Sequence, residues 1–110
     1  MPYKNIEDER ARNRRNYYRD KASFLARTRR TKLRLLEYAR NLKEETPCTD
    51  CGVSYPHYIM EFDHARGTKT MGVAQLCMQG SMKALLAEIE KCDIVCANCH
   101  SVRTFTRRFI

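Results

Sequence analysis

A chain of 110 residues with a formal net charge of +8 and six cysteines has room for one small domain, or for one domain with an appendage. A hydrophobic core of that size is marginal, so a metal staple is the expected supplement. No apolar run reaches membrane-spanning length, and the highly charged stretch 1–20 does not resemble a secretory signal, so a reducing cytoplasm is the expected compartment. There, six cysteines point to metal ligation more than to disulfides.

The positive charge is concentrated. Residues 1–46 contain 14 Lys/Arg against 7 Asp/Glu, and residues 47–110 contain 7 against 6. A basic arm (1–46) beside a near-neutral module (47–110) points to a polyanionic partner, most simply nucleic acid; double-stranded DNA is the expected form. The plainer alternative is a solvated, solubilising helix.

Asn5 is a candidate helix cap, with Asp8 where a carboxylate favours the first turn. No glycine or proline interrupts the chain from there to about Glu45, which predicts one long helix. Its early part offers almost no apolar stripe. Leu25, Leu33, Leu36 and Ala39, with Leu35 and Leu42 nearby, give a weak seam in the second half. Arg10, Arg12, Arg14, Arg15 and Arg19, interleaved with Tyr17 and Tyr18, suit contacts to backbone phosphates. Without DNA, residues 1–20 are expected to fray. A coiled-coil dimer through this helix is possible, but the seam is too short to favour it, and a monomer or weak dimer is expected.

Pro47 ends the helix. Cys48-Thr49-Asp50-Cys51-Gly52 then reads as a metal knuckle, with Gly52 permitting the tight turn. One CxxC is a weak signal; the second pair, Cys96-Ala97-Asn98-Cys99, completes four ligands for a shared structural Zn2+. Between the pairs, residues 58–64 alternate as a strand, ending in Asp63-His64. Glu61, on the Asp63 face, is expected to pair with an arginine. Val73, Leu76 and Cys77 follow helical spacing up to Gly80, and Ser81 caps a second short helix carrying Met82, Leu85, Leu86 and Ile89. Both helices are expected to bury their stripes against the strand and the knuckle. Cys77 reads as a core residue and Cys92 as a cysteine outside the zinc set. The segment 97–108 is predicted helical, giving Cys99 to zinc and His100 to a second site. Arg66, Lys69 and Arg103 are further candidates for phosphate contact, and Arg107 and Arg108 are expected to be solvated.

Together, CTDC (48–51), EFDH (61–64) and CANCH (96–100) resemble the HNH, or ββα-metal, endonuclease superfamily. The likeness is to small phage and bacterial members with a four-cysteine zinc site, and to phage resolvases in which the residue after the last zinc cysteine also binds metal. It covers residues 48–100. The resemblance implies an α+β chain whose core is a ββα-metal (HNH) fold around a four-cysteine zinc knuckle, preceded by the long basic helix. It further implies a DNA endonuclease leaving 5′-phosphate and 3′-hydroxyl ends. Asp63 and His100 match ligands of a catalytic Mg2+ or Mn2+, and His64 matches the general base. A hard cation prefers oxygen and tolerates imidazole, and neutral imidazole suits a proton acceptor near neutral pH. The chain departs from the pattern at the asparagine between the histidines: Lys91, Cys92 and Asp93 stand in that vicinity. Asn98 either orients the His64 loop or satisfies the knuckle backbone. The competing class is a non-catalytic zinc module that binds nucleic acid, or a component of a phage DNA-processing or packaging complex.

Overall fold

A computed structural model describes residues 5–110, and Asn5 starts the first helix, accepting a 2.8 Å hydrogen bond from the Asp8 N–H. Helix α1 runs Ile6–Glu45, with Glu7, Asp8 and Glu9 in its first turn and Lys43 in its last. These charges complement the helix dipole at both ends. Residues 6–20 are helical throughout rather than frayed; residues 1–4 of the expected frayed stretch lie outside the described residues.

The chain divides into two compact units after Thr31. In the first unit α1 is polar on nearly all sides. Arg10, Arg12, Arg14, Arg15 and Arg19 are exposed, and the exposed Tyr17 and Tyr18 rings meet edge-on at 5.3 Å. In the second unit the last turns of α1 bury Leu35 and Ala39, with Leu36 and Leu42 half-buried. Leu25 and Leu33, expected in the seam, are both exposed. Leu33 sits two residues before Leu35, a rotation of about 200° about the helix axis, so both cannot face the core.

The strand expected over 58–64 begins at Met60. Residues 56–59 instead form a turn, in which the N–H of Met60 donates to His57 O at 3.2 Å. Strand β1 (Met60–His64) pairs antiparallel with β2 (Cys92–Cys96), in the register Met60↔Cys96, Asp63↔Asp93 and His64↔Cys92. Between them lie α2 (Val73–Gln79) and α3 (Met82–Ile89). Gly80 adopts φ +76° between these helices, a left-handed conformation that suits glycine, and Ser81 caps α3 by accepting from the Ala84 N–H. β2 passes directly into α4 (Ala97–Phe109). The described residues thus form an α+β fold of four helices and a two-stranded sheet, and no helix among them is long and apolar enough to cross a membrane.

Two cores hold the second unit. One joins Leu35, Ala39, Val73, Leu76, Cys77, Leu85 and Cys92. The other joins Cys48, Met60, Ile94, Val95 and Cys96. The short helices therefore pack on α1 and on one face of the ribbon, and not on the knuckle, which has a core of its own. Leu35→Ala is expected to destabilise the protein by about 2–4 kcal/mol, and Leu33→Ala by less than about 0.5 kcal/mol, in denaturant unfolding. Equal effects would show that the seam lies elsewhere on α1.

Candidate functional site

The knuckle is built by backbone hydrogen bonds before any metal is considered. The N–H of Gly52 donates to Cys48 O at 2.8 Å, that of Cys48 to Val53 O at 2.9 Å, and Thr49 donates through both its N–H and its hydroxyl to Ile94 O at 2.9 Å. Gly52 takes φ +74° to close the turn. These bonds tie the knuckle to β2, which delivers Cys96, and the first turn of α4 after it delivers Cys99. The sulfurs of Cys48, Cys51, Cys96 and Cys99 all lie within 4.8 Å of one another, and among the described residues they form the one group of three or more side chains placed to share a metal ion.

The chemistry of this donor set fits a structural, zinc-like ion. Four soft sulfurs on two turns can surround one tetrahedral cation. The N–H groups of Cys96 and Cys99 donate to the sulfurs of Cys48 and Cys96 at 3.3 and 3.5 Å. Burial works against ionising Cys48, but the N–H groups of Cys51, Cys96 and Asp50 outweigh it and bring its thiol down to about 6. The neighbouring Cys96 sulfur, followed by burial, pushes Cys99 up to about 12. Four thiolates this close together need a cation to offset their charge. Cys77 and Cys92 stand apart in the other core; the Cys92 thiol donates to Glu88 O at 3.4 Å and burial pushes it up to about 11.

Helix α4 starts on this cluster, with the Cys96 sulfur as its cap. His100, Arg103 and Arg107 follow on one face, since residues three, four and seven apart align along a helix. His100 Nε2 lies 3.3 Å from Asp63 Oδ1, and its Nδ1 lies 2.9 Å from Glu61 Oε2. Glu61 thus pairs with an imidazole and not with an arginine. Asp63 is 4% exposed, and both its oxygens are occupied: Arg103 Nη1 donates to Oδ2 at 2.8 Å, while Arg107 donates to Oδ1 and Oδ2 at 2.8 and 2.7 Å. Hydrogen bonds from Arg107, against the opposing effect of burial and with help from Arg103, hold the Asp63 carboxyl well below the usual carboxylate range. Arg103 also donates to Asp50 at 2.6 and 2.7 Å and to Asp93 at 3.0 Å. Its guanidinium is committed to three carboxylates and is not presented to a phosphate. Arg107, expected to be solvated, forms a forked pair with Asp63.

His64 takes the other face of β1, because successive strand residues alternate. Its Nε2 lies 2.9 Å from Glu88 Oε2. Glu88 is 3% exposed and accepts from Lys91 Nζ at 2.9 Å and from the Thr70 N–H at 3.0 Å. The Lys91 hydrogen bond, opposed by burial and aided by the Thr70 N–H and His64, lowers its carboxyl to about 2. Glu88 is therefore ionised at neutral pH, so the His64 ring nitrogen that meets it, Nε2, is the donor.

The structure brings Asp63 and His100 together and turns His64 away from them. Asn98 is exposed on the first turn of α4. Arg66 is held by Asp93 at 2.7 Å and by the carbonyls of Glu90 and Cys92, whereas Lys69 is exposed. His57 pairs with Glu44 at 3.0 Å. Glu88 escapes sequence reading although it lies three residues after Leu85 on a core-facing stripe, where an acid is out of place. Asp50 and Asp93 carried no signal at all. Compared with known proteins, the chain matches no family model, no curated protein and no solved structure.

Two outcomes follow from this geometry. Cys96→Ser is expected to lose the bound metal and to lower Tm by more than about 10 °C, as read by metal analysis and thermal melts; retention of both would refute the four-sulfur site. Carboxyls depressed in the fold contribute stability above their unfolded pKa of about 4, and that stability is lost as pH falls toward the folded value. Wild-type Tm should therefore drop between about pH 5 and about pH 2, while Glu88→Gln starts lower and drops less. Parallel curves would show that Glu88 is not ionised in the fold.

Proposed function

We propose that this protein is a zinc-fastened endonuclease of the HNH type that hydrolyses DNA phosphodiester bonds, with the arginine-rich part of α1 as its hold on duplex DNA. The observation that carries this reading is the 3.3 Å approach of His100 Nε2 to Asp63 Oδ1, immediately after the last sulfur of the thiol cluster. One oxygen and one imidazole nitrogen side by side form a donor pair that a hard divalent cation accepts. Asp63 and His100 would hold Mg2+ or Mn2+, which when bound offsets charge on the phosphate. The fit has a condition. Both Asp63 oxygens accept from guanidiniums, so the cation competes with them. Arg107, 51% exposed and bonded to Asp63, gives way more easily than Arg103, which three carboxylates hold.

His64 is the general base. Glu88 fixes the ring by accepting from Nε2–H, so Nδ1 receives the proton of the attacking water. Because Asp63 and His64 leave opposite faces of one strand end, the scissile phosphate would have to sit at the edge of β1 to meet both. The exposed Arg10, Arg12, Arg14, Arg15 and Arg19, with Lys69, neutralise phosphates without reading bases. The setting that suits this chemistry is a bacterial or phage-infected cytoplasm, among phage DNA-processing or packaging partners.

A second reading is favoured by one specific observation: Asp63 is already neutralised by two arginines, and His64 faces away from it. A zinc module that only binds nucleic acid needs nothing more. Nicking of supercoiled plasmid in Mg2+ and Mn2+ separates the two. The nuclease reading expects cleavage that falls by about 100-fold or more in both His64→Ala and His100→Ala, with duplex binding retained in the absence of divalent metal. Binding without cleavage in any divalent metal supports the second reading, and equal cutting by wild type and His64→Ala removes this site as the catalyst.

A further inference from the structure

A cavity of about 570 Å³ opens on the face of the ribbon opposite α4, between the last turns of α1, helix α2 and β1. That volume falls in the range of small-molecule sites. Arg40, Lys43 and Lys69 line it, and no carboxylate does. Elsewhere in this unit the bonded cations have acidic partners: Arg66 has Asp93, Lys91 has Glu88, and Arg103 and Arg107 have Asp63. The three cations at the cavity have no ion pair among the described residues. Lys43 is half-buried, and burial together with the neighbouring Arg40 lowers its pKa; Glu61, whose charge acts the other way, is bonded to His100. Two like charges are thus held beside a cavity, and neither forms an ion pair among the described residues.

Apart from the imidazoles of His57 and His64, the rest of the lining is apolar and aromatic. Val73 and Cys77 are buried in the core beneath it. Lys43 Nζ lies 5.7 Å from the centroid of the Phe62 ring, and Tyr58, 76% exposed, stands at the rim. Cations set beside rings suit a ligand that is anionic at one end and planar at the other, because the phosphate meets the cations while the base lies against an aromatic or apolar wall. We propose that this cavity binds one nucleotide, its phosphate between Arg40, Lys43 and Lys69 and its base toward Phe62 and Tyr58. The ligand is a free nucleoside phosphate or an unpaired nucleotide of a strand, which share this chemistry. His64, the general base of the proposed reaction, also borders the cavity, but the site uses neither Asp63 nor His100 and the proposal concerns binding, so it stands whether or not the chain cleaves DNA.

Calorimetric titration of the full chain, metal-loaded at the thiol cluster and without added Mg2+ or Mn2+, tests the proposal. The probes are adenosine 5′-monophosphate, adenosine, inorganic phosphate and a short single-stranded oligonucleotide. The monophosphate is expected to bind about tenfold or more tighter than adenosine or phosphate alone, and Lys43→Met and Arg40→Ala are each expected to weaken it by about tenfold. Competition by the oligonucleotide identifies a strand nucleotide as the ligand; its failure to compete identifies the free nucleotide. Thermal melts and metal content of the variants should match wild type, and if Lys43→Met does not fold, the exposed Arg40→Ala decides. Binding of phosphate as tight as the monophosphate, no binding of either nucleotide probe, or an unchanged affinity in the folded variants overturns the proposal.

Discussion

The four sulfurs are the constraint on which the rest of the second unit depends. They join segments 48–51 and 96–99, and the second of these is the junction between β2 and α4. Backbone bonds from Cys48 and Thr49 already set the knuckle against β2, so the ligands are arranged by the chain itself. Bringing four thiols together without a cation leaves at least one proton firmly held, as the pKa of about 12 at Cys99 indicates. A bound divalent ion removes that penalty, and its binding free energy adds to the stability of a small core.

Strand alternation decides what the Asp-His dipeptide can do. Adjacent positions on β1 send Asp63 toward α4 and His64 toward α3. Each then meets a different electrostatic environment: Asp63 meets two guanidiniums, while His64 meets a buried carboxylate that is itself anchored by Lys91 and the Thr70 N–H. Proximity in sequence therefore gives two separately held groups in different electrostatic surroundings. Under the nuclease reading that separation is useful, since a base that shared the cation would lose the lone pair it needs for water.

Much of this was legible from the residues, for identifiable reasons. The thiol cluster was, because two CxxC pairs in a small chain leave little alternative. So were α1, with its cap and uninterrupted run, and the Gly80-Ser81 boundary, where two adjacent residues each have a local conformational role. Leu25 and Leu33 misled because a seam of leucines in a charged helix fits more than one helical phase, and only the packing partners choose among them. The carboxylate partners were not legible. Asp50, Asp93 and Glu88 acquire their roles from pairings across 53, 10 and 24 residues, and nothing in their local sequence distinguishes them from surface acids. Arg107 was read as solvated for the same reason: its partner lies on another element.

One face of α4 concentrates these dependencies. Cys99, Arg103 and Arg107 recur every four residues, with His100 beside the first, so a single helical stripe carries a sulfur of the cluster, the imidazole and both guanidiniums. Arg103 reaches the knuckle through Asp50, β1 through Asp63 and β2 through Asp93, and it thereby fixes the rotation of the helix that the sulfurs fix only at one end. A helix held at its first turn alone could swing or roll. Held again one turn later by a planar, forked donor, it presents His100 to Asp63 in one orientation. The imidazole and carboxylate are thus positioned by two attachments, one through sulfur and one through a charge network that includes Asp63 itself.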